Sequence, residues 1–186
     1  MNRHHPYPQG LPAGLTLIES LIVLAIVAIG MGTALADFRQ LRERRQLEAA
    51  AAQLETDLMA TRSLAVARNH NVRVGFESST DYSCYVVHIG AADDCHCTAE
   101  GAATCRPGAE AIRTVMFQAS GPVALRSNVR SMLFDGTKGT ITPTGTLRLI
   151  TRDGTAIHQI VNIMGRVRSC SPPLANGGRL AGYAAC

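Results

Sequence analysis

The feature that most constrains this chain is an apolar run close to its N-terminus. Residues 15–36 contain a single charged side chain, Glu19, and no proline. Because an α-helix rises about 1.5 Å per residue, this run would form about 33 Å of helix, enough to cross the roughly 30 Å hydrocarbon layer of a membrane. A secretory signal peptide has a shorter apolar core followed by a cleavage site. The run therefore predicts a transmembrane helix that the mature protein keeps.

The carboxylate of Glu19 is unusual in such a helix. An ionised side chain deep in a bilayer costs about 2.5–3.5 kcal/mol on insertion scales, although the penalty falls near the end of the segment. Composition leaves two interpretations open. Glu19 either marks the membrane boundary or pairs with a cationic group inside the apolar layer.

The residues around Glu19 carry a more specific pattern. The stretch GLTLIES, residues 14–20, resembles the processing site of type IV prepilins, in which a short leader ends in glycine before an apolar helix. The resemblance implies that residues 1–14 are a leader, that a prepilin peptidase cuts between Gly14 and Leu15, and that Leu15 becomes a methylated N-terminus. Glu19 would then pair with the terminal amine of a neighbouring pilin or pseudopilin. The family more often has Phe at the position of Leu15.

The same resemblance implies a single-pass protein of the inner membrane, with its C-terminal domain periplasmic and, once in a pilus, extracellular. The arginines argue the other way. Arg39, Arg42, Arg44 and Arg45 follow the apolar run, and the positive-inside rule alone would place that side in the cytoplasm. We follow the resemblance and the cysteines, which favour an oxidising compartment.

Beyond the apolar run, residues 37–69 keep a helical period. Small or apolar residues recur at spacings of three and four, which places them on one stripe: Leu47, Ala51, Leu54, Leu58, Thr61 and Ala65. From residue 71 the period changes to two, and short strands alternate with Gly, Asp, Asn and Pro turns. The last long strand is predicted over residues 156–169.

These patterns predict an α+β fold of the pilin-like kind, in which a long N-terminal helix packs its second half on an antiparallel β-sheet. The predicted organisation has four segments. Residues 1–14 form the leader, 15–36 the transmembrane and assembly helix, 37–69 the amphipathic half of the helix, and 70–186 a globular β domain with cysteine-clamped loops.

The chain has six cysteines: Cys84, Cys95, Cys97, Cys105, Cys170 and Cys186. An even number after an export-type segment favours disulfides. Six cysteines allow 15 pairings, and proximity along the chain suggests Cys170 with Cys186 and two bridges within residues 84–105 that do not join Cys95 to Cys97. The C-x-C spacing around His96 differs from the spacing of common zinc sites, so no metal site is predicted.

The basic residues concentrate in the last third of the chain. Residues 119–186 contain eight Lys and Arg against two acids, a net charge of +6, whereas the whole chain carries +4. Such a region suggests a polyanionic partner, and an ordinary solvated surface is the alternative.

Within this region, residues 134–172 resemble the FimT/GspH family of minor pilins and pseudopilins through a glycine-bearing turn, two strands and a Gly-Arg-x-Arg motif. In FimT-type members that motif carries DNA binding during natural transformation, and it falls here on Gly165, Arg166 and Arg168. Because side chains alternate along an extended segment, both arginines would point to one side and could hold successive phosphates without reading sequence. Charge alone adds further candidates: Arg130, Lys138, Arg148, Arg152 and Arg179.

The sequence therefore predicts a minor type IV pilin that assembles into a pilus and captures DNA. A pseudopilin of a type II secretion system and a purely structural priming subunit are the alternatives. The chain lacks G-x-S-x-G, H-E-x-x-H and P-loop motifs, so no catalytic residue and no cofactor is predicted.

Overall fold

A computed structural model of the chain describes residues 16–174 and 180–186, with all of their side chains except those of 32–37. One long helix, α1, spans Leu17–Arg68, and β-strands make up the rest of the regular structure in these ranges. The chain divides into two compact units between Leu41 and Arg42. The predicted leader and its cleavage site at Gly14 and Leu15 lie outside the described residues.

Both ends of α1 are capped by local hydrogen bonds. At the start, the N–H of Glu19 donates to Thr16 Oγ1 at 3.3 Å, and the Glu19 carboxylate lies in the first turn, where the helix dipole favours negative charge. At the end, Asn69 adopts a left-handed φ of 48°, and its N–H donates to the carbonyl of Val66 at 3.1 Å. Asparagine tolerates this conformation better than most residues, which makes it a suitable helix terminator.

The first unit presents an apolar helix surface. Every large apolar side chain between Leu17 and Met31 is exposed. Among the described residues, no helix combines the length and the apolarity needed to cross a membrane. The transmembrane segment predicted at 15–36 is therefore not confirmed.

The amphipathic half of α1 packs as its spacing predicts. All six residues of the predicted stripe, from Leu47 to Ala65, are at most 3% exposed. All of them except Thr61 form one hydrophobic cluster with the inner faces of the strands, in which Leu147, Leu149 and Ile157 are fully buried. The apolar period alone was sufficient to identify the buried face of this helix segment.

The strands form two five-stranded sheets and one small hairpin within the described residues. The first sheet has the order β5-β2-β1-β7-β8 and the second has the order β12-β11-β10-β9-β6, while β3 pairs with β4. The strands are β1 Val72–Ser78, β2 Tyr82–Ile89, β3 Cys95–Cys97, β4 Ala103–Cys105, β5 Glu110–Gln118, β6 Val123–Ser127, β7 Ser131–Phe134, β8 Ile141–Thr142, β9 Gly145–Thr151, β10 Ala156–Val161, β11 Val167–Ser171 and β12 Ala184–Ala185. All pairs are antiparallel except β11 with β12. The predicted α+β pilin-like class is confirmed.

The prediction of a single strand over residues 156–169 is wrong. This segment consists of β10, a turn and β11, and the two strands pair antiparallel with Val161 opposite Val167. The chain reverses between them because Asn162 and Gly165 occupy the positions of a β-turn that these residues favour. Because Ile163 and Met164 are apolar, the strand-like sequence pattern continues through this turn and does not predict it.

Two polar clusters attach α1 to the sheets. Gln159 Nε2 donates to the carbonyl of Ala51 at 2.6 Å in the second sheet. In the first sheet, Asp57 Oδ2 accepts from the Tyr85 hydroxyl at 2.6 Å and forms an ion pair with Arg113 Nε at 2.9 Å. Burial raises the pKa of Tyr85, and the hydrogen bond to Asp57 raises it further, so the hydroxyl stays a donor. A buried carboxylate is stable here because it has two donors.

Three disulfides join Cys84 to Cys97, Cys95 to Cys105 and Cys170 to Cys186. The first ties β3 to β2, and the second joins β3 to β4 within the hairpin. Val86 and these cysteines form a second small core on the outer face of β2. The third holds the C-terminal segment beside β11.

The C-terminal segment also involves one of the arginines that follow the apolar run. Arg44 Nη2 donates to the carbonyl of Ala181 at 2.8 Å, while Arg44 Nε pairs with Glu48 at the same distance. Arg45 Nη1 lies 3.3 Å from Glu48. Two of the four arginines that argue against a periplasmic C-terminal domain therefore have contacts within the globular unit.

Candidate nucleic-acid interface

The Gly-Arg-x-Arg motif lies on the turn that joins β10 to β11. The N–H of Gly165 donates to the carbonyl of Asn162 at 2.9 Å, and the N–H of Asn162 donates to the carbonyl of Arg166 at 3.1 Å. The Asn162 side chain accepts from the N–H of Arg166 at 2.9 Å. These three bonds fix the chain on both sides of the turn, so the direction in which Arg166 leaves it is set by the backbone.

Gly165 is required at its position for two reasons. Its φ is +77°, in the left-handed region that favours glycine, and a Cβ there would lie 2.7 Å from Arg62 Cδ. Arg62 Nε donates to the carbonyl of Gly139 at 2.8 Å. Arg62 of α1 therefore packs against the motif turn and holds the β7–β8 loop at the same end of the second sheet.

Arg166 and Arg168 point to the same side of β11. Both are exposed, whereas Val167 between them is half-buried. The next residue along, Ser169, turns toward α1, where its hydroxyl lies 3.4 Å from Glu55 Oε2. The alternation expected of an extended segment thus holds for the two arginines, although Arg166 precedes the strand rather than lying within it.

The register of the second sheet brings two more arginines to this face. Arg126 of β6 is opposite Arg148 of β9, and Arg148 is opposite His158 of β10. His158 is in turn opposite Cys170, two residues from Arg168 on β11. We call Arg126, Arg148, Arg166 and Arg168 the outer arginine face. By strand spacing and rise, their Cα atoms lie within about 20 Å of one another.

The sequence pattern does not single out Arg126 as a candidate contact. The alternation of VALRS predicts that it points outward, but only strand pairing shows that it lies beside Arg148. Cross-strand register depends on which strands pair, and a local sequence pattern does not specify this.

No carboxylate pairs with the outer arginine face among the residues that the structure describes. Burial lowers the pKa of His158, and the neighbouring charge of Arg148 lowers it further. The two acids of this part of the chain lie in turns: the carboxylates of Asp135 and Asp153 accept hydrogen bonds from nearby threonines. These hydrogen bonds lower the pKa of both carboxyl groups, with the contact to Thr137 or Thr151 contributing most.

The other predicted contacts separate into three groups. Arg148 belongs to the outer arginine face, and Lys138 is exposed in the loop that Arg62 holds beside the motif turn. Arg152 lies at the opposite end of β10, about 20 Å away by strand rise, and its guanidinium donates to the carbonyl of Ser120. Arg179 lies outside the described residues.

One group of side chains in the cysteine-clamped region has the geometry of a metal site. Ligand atoms of Glu77, Cys84 and Cys97 lie within 4.8 Å of one another. The two sulfur atoms are joined in a disulfide and offer no thiolate. Glu77 instead accepts from His96 Nδ1 at 2.6 Å and from the N–H of Cys97 at 3.1 Å, so its oxygens hold the hairpin to β1.

Comparison with known families identifies the chain. Residues 50–165, more than half of the sequence, match the family described as Type II transport protein GspH. The chain belongs to this family. Residues 12–35 match the prokaryotic N-terminal methylation motif, which includes Gly14, Leu15 and Glu19. This GspH-family chain is thus a type IV pilin-like subunit. The family match ends at Gly165 and does not include Arg166 or Arg168.

The fold is shared with a solved structure. The type IV minor pilin FimU of Pseudomonas aeruginosa is 17% identical, with a TM-score of 0.53 over 70% of this chain and 95% of FimU. The minor pseudopilin EpsH of the Vibrio cholerae Type 2 Secretion System is 12% identical, with a TM-score of 0.45 over 68% of this chain and 97% of EpsH. A sequence search of curated proteins finds no match.

Proposed function

We propose that this GspH-family subunit is a minor type IV pilin that binds DNA through the outer arginine face. One observation carries the proposal: the strand register gathers four exposed arginines on one face where no described carboxylate neutralises them. Like charges directly opposite each other on paired strands are unfavourable. A polyanion that lies across the face would relieve this repulsion.

The methylation motif supports a processing pathway that would accompany this function. A prepilin peptidase cuts between Gly14 and Leu15, and the new N-terminus is methylated. Residues 15–36 then hold the subunit in the inner membrane, with the globular unit in the periplasm, until it joins other pilins in a filament. Glu19 pairs with the terminal amine of a neighbouring subunit. The motif match and the apolar surface of residues 17–31 support this sequence of steps.

DNA fits the outer arginine face in size and in chemistry. A span of about 20 Å corresponds to roughly six base pairs of duplex, which carry about twelve phosphates. Guanidinium groups bind phosphate oxygens in pairs of hydrogen bonds. The four residues of the face are arginines and offer no aromatic ring for base stacking, so the contacts of this face would be to the DNA backbone.

The test uses residues 42–186, because every buried core residue and every disulfide of the described residues lies within this unit. A fluorescent duplex is titrated with the oxidised domain at several salt concentrations. We expect binding to weaken as salt rises. In Arg166→Gln/Arg168→Gln the slope of log K against log salt should fall by about 0.9 for each lost phosphate contact.

The matched control is Arg42→Gln/Arg106→Gln, which removes the same charge from exposed residues on α1 and in the cysteine-clamped region. We expect this control to change affinity only slightly. Equal losses in both double variants would mean that net charge alone attracts DNA. No binding of the unmutated domain at low salt would contradict the proposal.

One observation favours a second candidate. The matched family is described as a type II transport protein, which suits a pseudopilin of a type II secretion system. A domain that does not bind DNA but associates with partner pseudopilins would support this function, and one that does neither would point to a structural priming subunit.

A further inference from the structure

The turn beside Arg166 has an unusual tip. Ile163 and Met164 are its two corner residues, and their side chains are 54% and 59% exposed. Turn corners usually carry Gly, Asn, Asp, Pro or Ser, which suit the backbone and remain hydrated. Two large apolar side chains at this point add nothing to the core and leave apolar area in water.

The tip is held firmly despite its exposure. The N–H of Ile141 on β8 donates to the carbonyl of Ile163 at 2.8 Å. On the other side, Gly165 packs closely against two side chains, because a Cβ at residue 165 would lie 2.7 Å from Arg62 Cδ and 3.3 Å from Ile141 Cδ1. A rigid apolar tip loses little conformational entropy when it is buried by a partner.

We infer that the pair Ile163 and Met164 is a wedge that enters a base step of the DNA held by the outer arginine face. The inference rests on the proposed function and adds a contact to the bases. Arg166 follows the wedge by two residues, so a phosphate bound by its guanidinium would bring the neighbouring base step to the tip. Lys138 lies at the same end of the sheet and adds positive charge there.

Apolar side chains of this size are known wedges in DNA recognition. Isoleucine and methionine inserted between bases unstack one step and bend the duplex, without requiring a particular base. Steps that unstack at low cost, such as TA and CA, should be preferred. The outer arginine face would then supply the salt-dependent part of the affinity and the wedge a part that salt affects little.

The experiment compares Ile163→Ser/Met164→Ser with Ile163→Leu/Met164→Leu in the oxidised domain of residues 42–186. Short duplexes carry 2-aminopurine, whose fluorescence rises on unstacking, at TA steps or within GC-rich sequence. We expect the unmutated domain and the leucine variant to raise the fluorescence, more strongly at TA steps. The serine variant should bind about tenfold more weakly, from the loss of two partly buried apolar side chains, with no rise in fluorescence and an unchanged salt slope.

Other outcomes separate this inference from the proposed function. Salt-dependent binding that needs Arg166 and Arg168 but is the same in the serine and unmutated domains would overturn the wedge and leave the DNA function intact. If the serine variant instead lost self-association measured by analytical ultracentrifugation, while its DNA binding was unchanged, the tip would be a protein contact. Absence of any DNA binding would overturn both.

Discussion

At the scale of single residues, the second sheet places like charges opposite each other on its exposed face. Arg126 and Arg148 are directly opposite each other and exposed, without a described carboxylate beside either. Opposed like charges on paired strands destabilise a sheet by roughly 0.2–1 kcal/mol. If selection acted on stability alone, we would not expect two arginines opposite each other without a neighbouring carboxylate.

Arg126→Gln should therefore separate stability from binding. We expect the free energy of unfolding to rise by a few tenths of a kcal/mol, because the repulsion with Arg148 is removed, while DNA affinity falls several-fold. Urea unfolding and a DNA titration of the same preparation measure the two effects. Arg106→Gln is the control, since Arg106 lies 3.8 Å from Asp94 and its loss relieves no repulsion. A stabilised variant with unchanged affinity would remove Arg126 from the interface.

His88 should make stability depend on pH. Burial lowers its pKa, and the charges of Arg73 and His96 lower it further, while Asp94 and the Ile89 backbone partly oppose the shift. Neither ring nitrogen meets hydrogen-bond geometry with a described group.

The folded state consequently holds fewer protons at His88 than the unfolded chain does. The contribution of His88 to stability is complete above the unfolded pKa of about 6.5 and is lost as pH falls through the lower folded pKa. Urea unfolding from neutral to acidic pH should show this loss, and His88→Gln should reduce it. His70→Gln, at an exposed histidine, is the control. An unchanged pH profile in His88→Gln would contradict the assignment.

At the scale of elements, the motif turn shows what the sequence could and could not predict. The buried stripe of α1 followed from its period alone, because one continuous helix fixes which residues share a face. The turn at residues 162–166 did not, since apolar Ile163 and Met164 continue the pattern of a strand. Cross-strand neighbours such as Arg126 and Arg148 depend on sheet register, which local sequence does not specify.

Gly165→Ala should test how firmly Arg62 holds this turn. The substitution places a side chain at φ +77° and a Cβ 2.7 Å from Arg62 Cδ, so we expect a loss of about 1–3 kcal/mol in unfolding free energy. Gly154→Ala is a close control, because Gly154 has φ +85° with nothing within 4 Å of its Cβ position. The excess loss at Gly165 over Gly154 measures crowding and should shrink in an Arg62→Ala background. Equal losses would show that the turn does not press on Arg62.

At the scale of the whole molecule, the fold class, the family and the methylation motif were all predictable, because each rests on a local pattern within continuous sequence. The finer assignment to a pilus was not, since neither the family match nor the methylation motif distinguishes a pilus from a type II secretion system. The two units also carry different parts of the proposal: the methylation motif overlaps the first unit, and the globular unit contains the candidate interface.

Glu19→Gln should affect filament assembly through the first unit and leave the candidate interface in the globular unit unchanged. The variant keeps the shape of the side chain but removes the charge that would meet a neighbouring terminal amine, so we expect normal membrane association and reduced incorporation into filaments. Immunoblots of membranes and of sheared filaments from the native host measure both quantities. Glu43→Gln, an exposed glutamate further along α1, is the control. Full incorporation of Glu19→Gln would argue that Glu19 serves mainly the first turn of the helix.

The most direct measurement is nuclear magnetic resonance of the arginine side chains. The Nε–Hε signals of isotope-labelled residues 42–186 are followed while a short duplex is added at low salt. We predict that the signals of Arg126, Arg148, Arg166 and Arg168 shift together, while those of Arg42 and Arg106 remain in place. Shifts spread evenly over all six arginines, or confined to those outside the second sheet, would contradict DNA binding by this face.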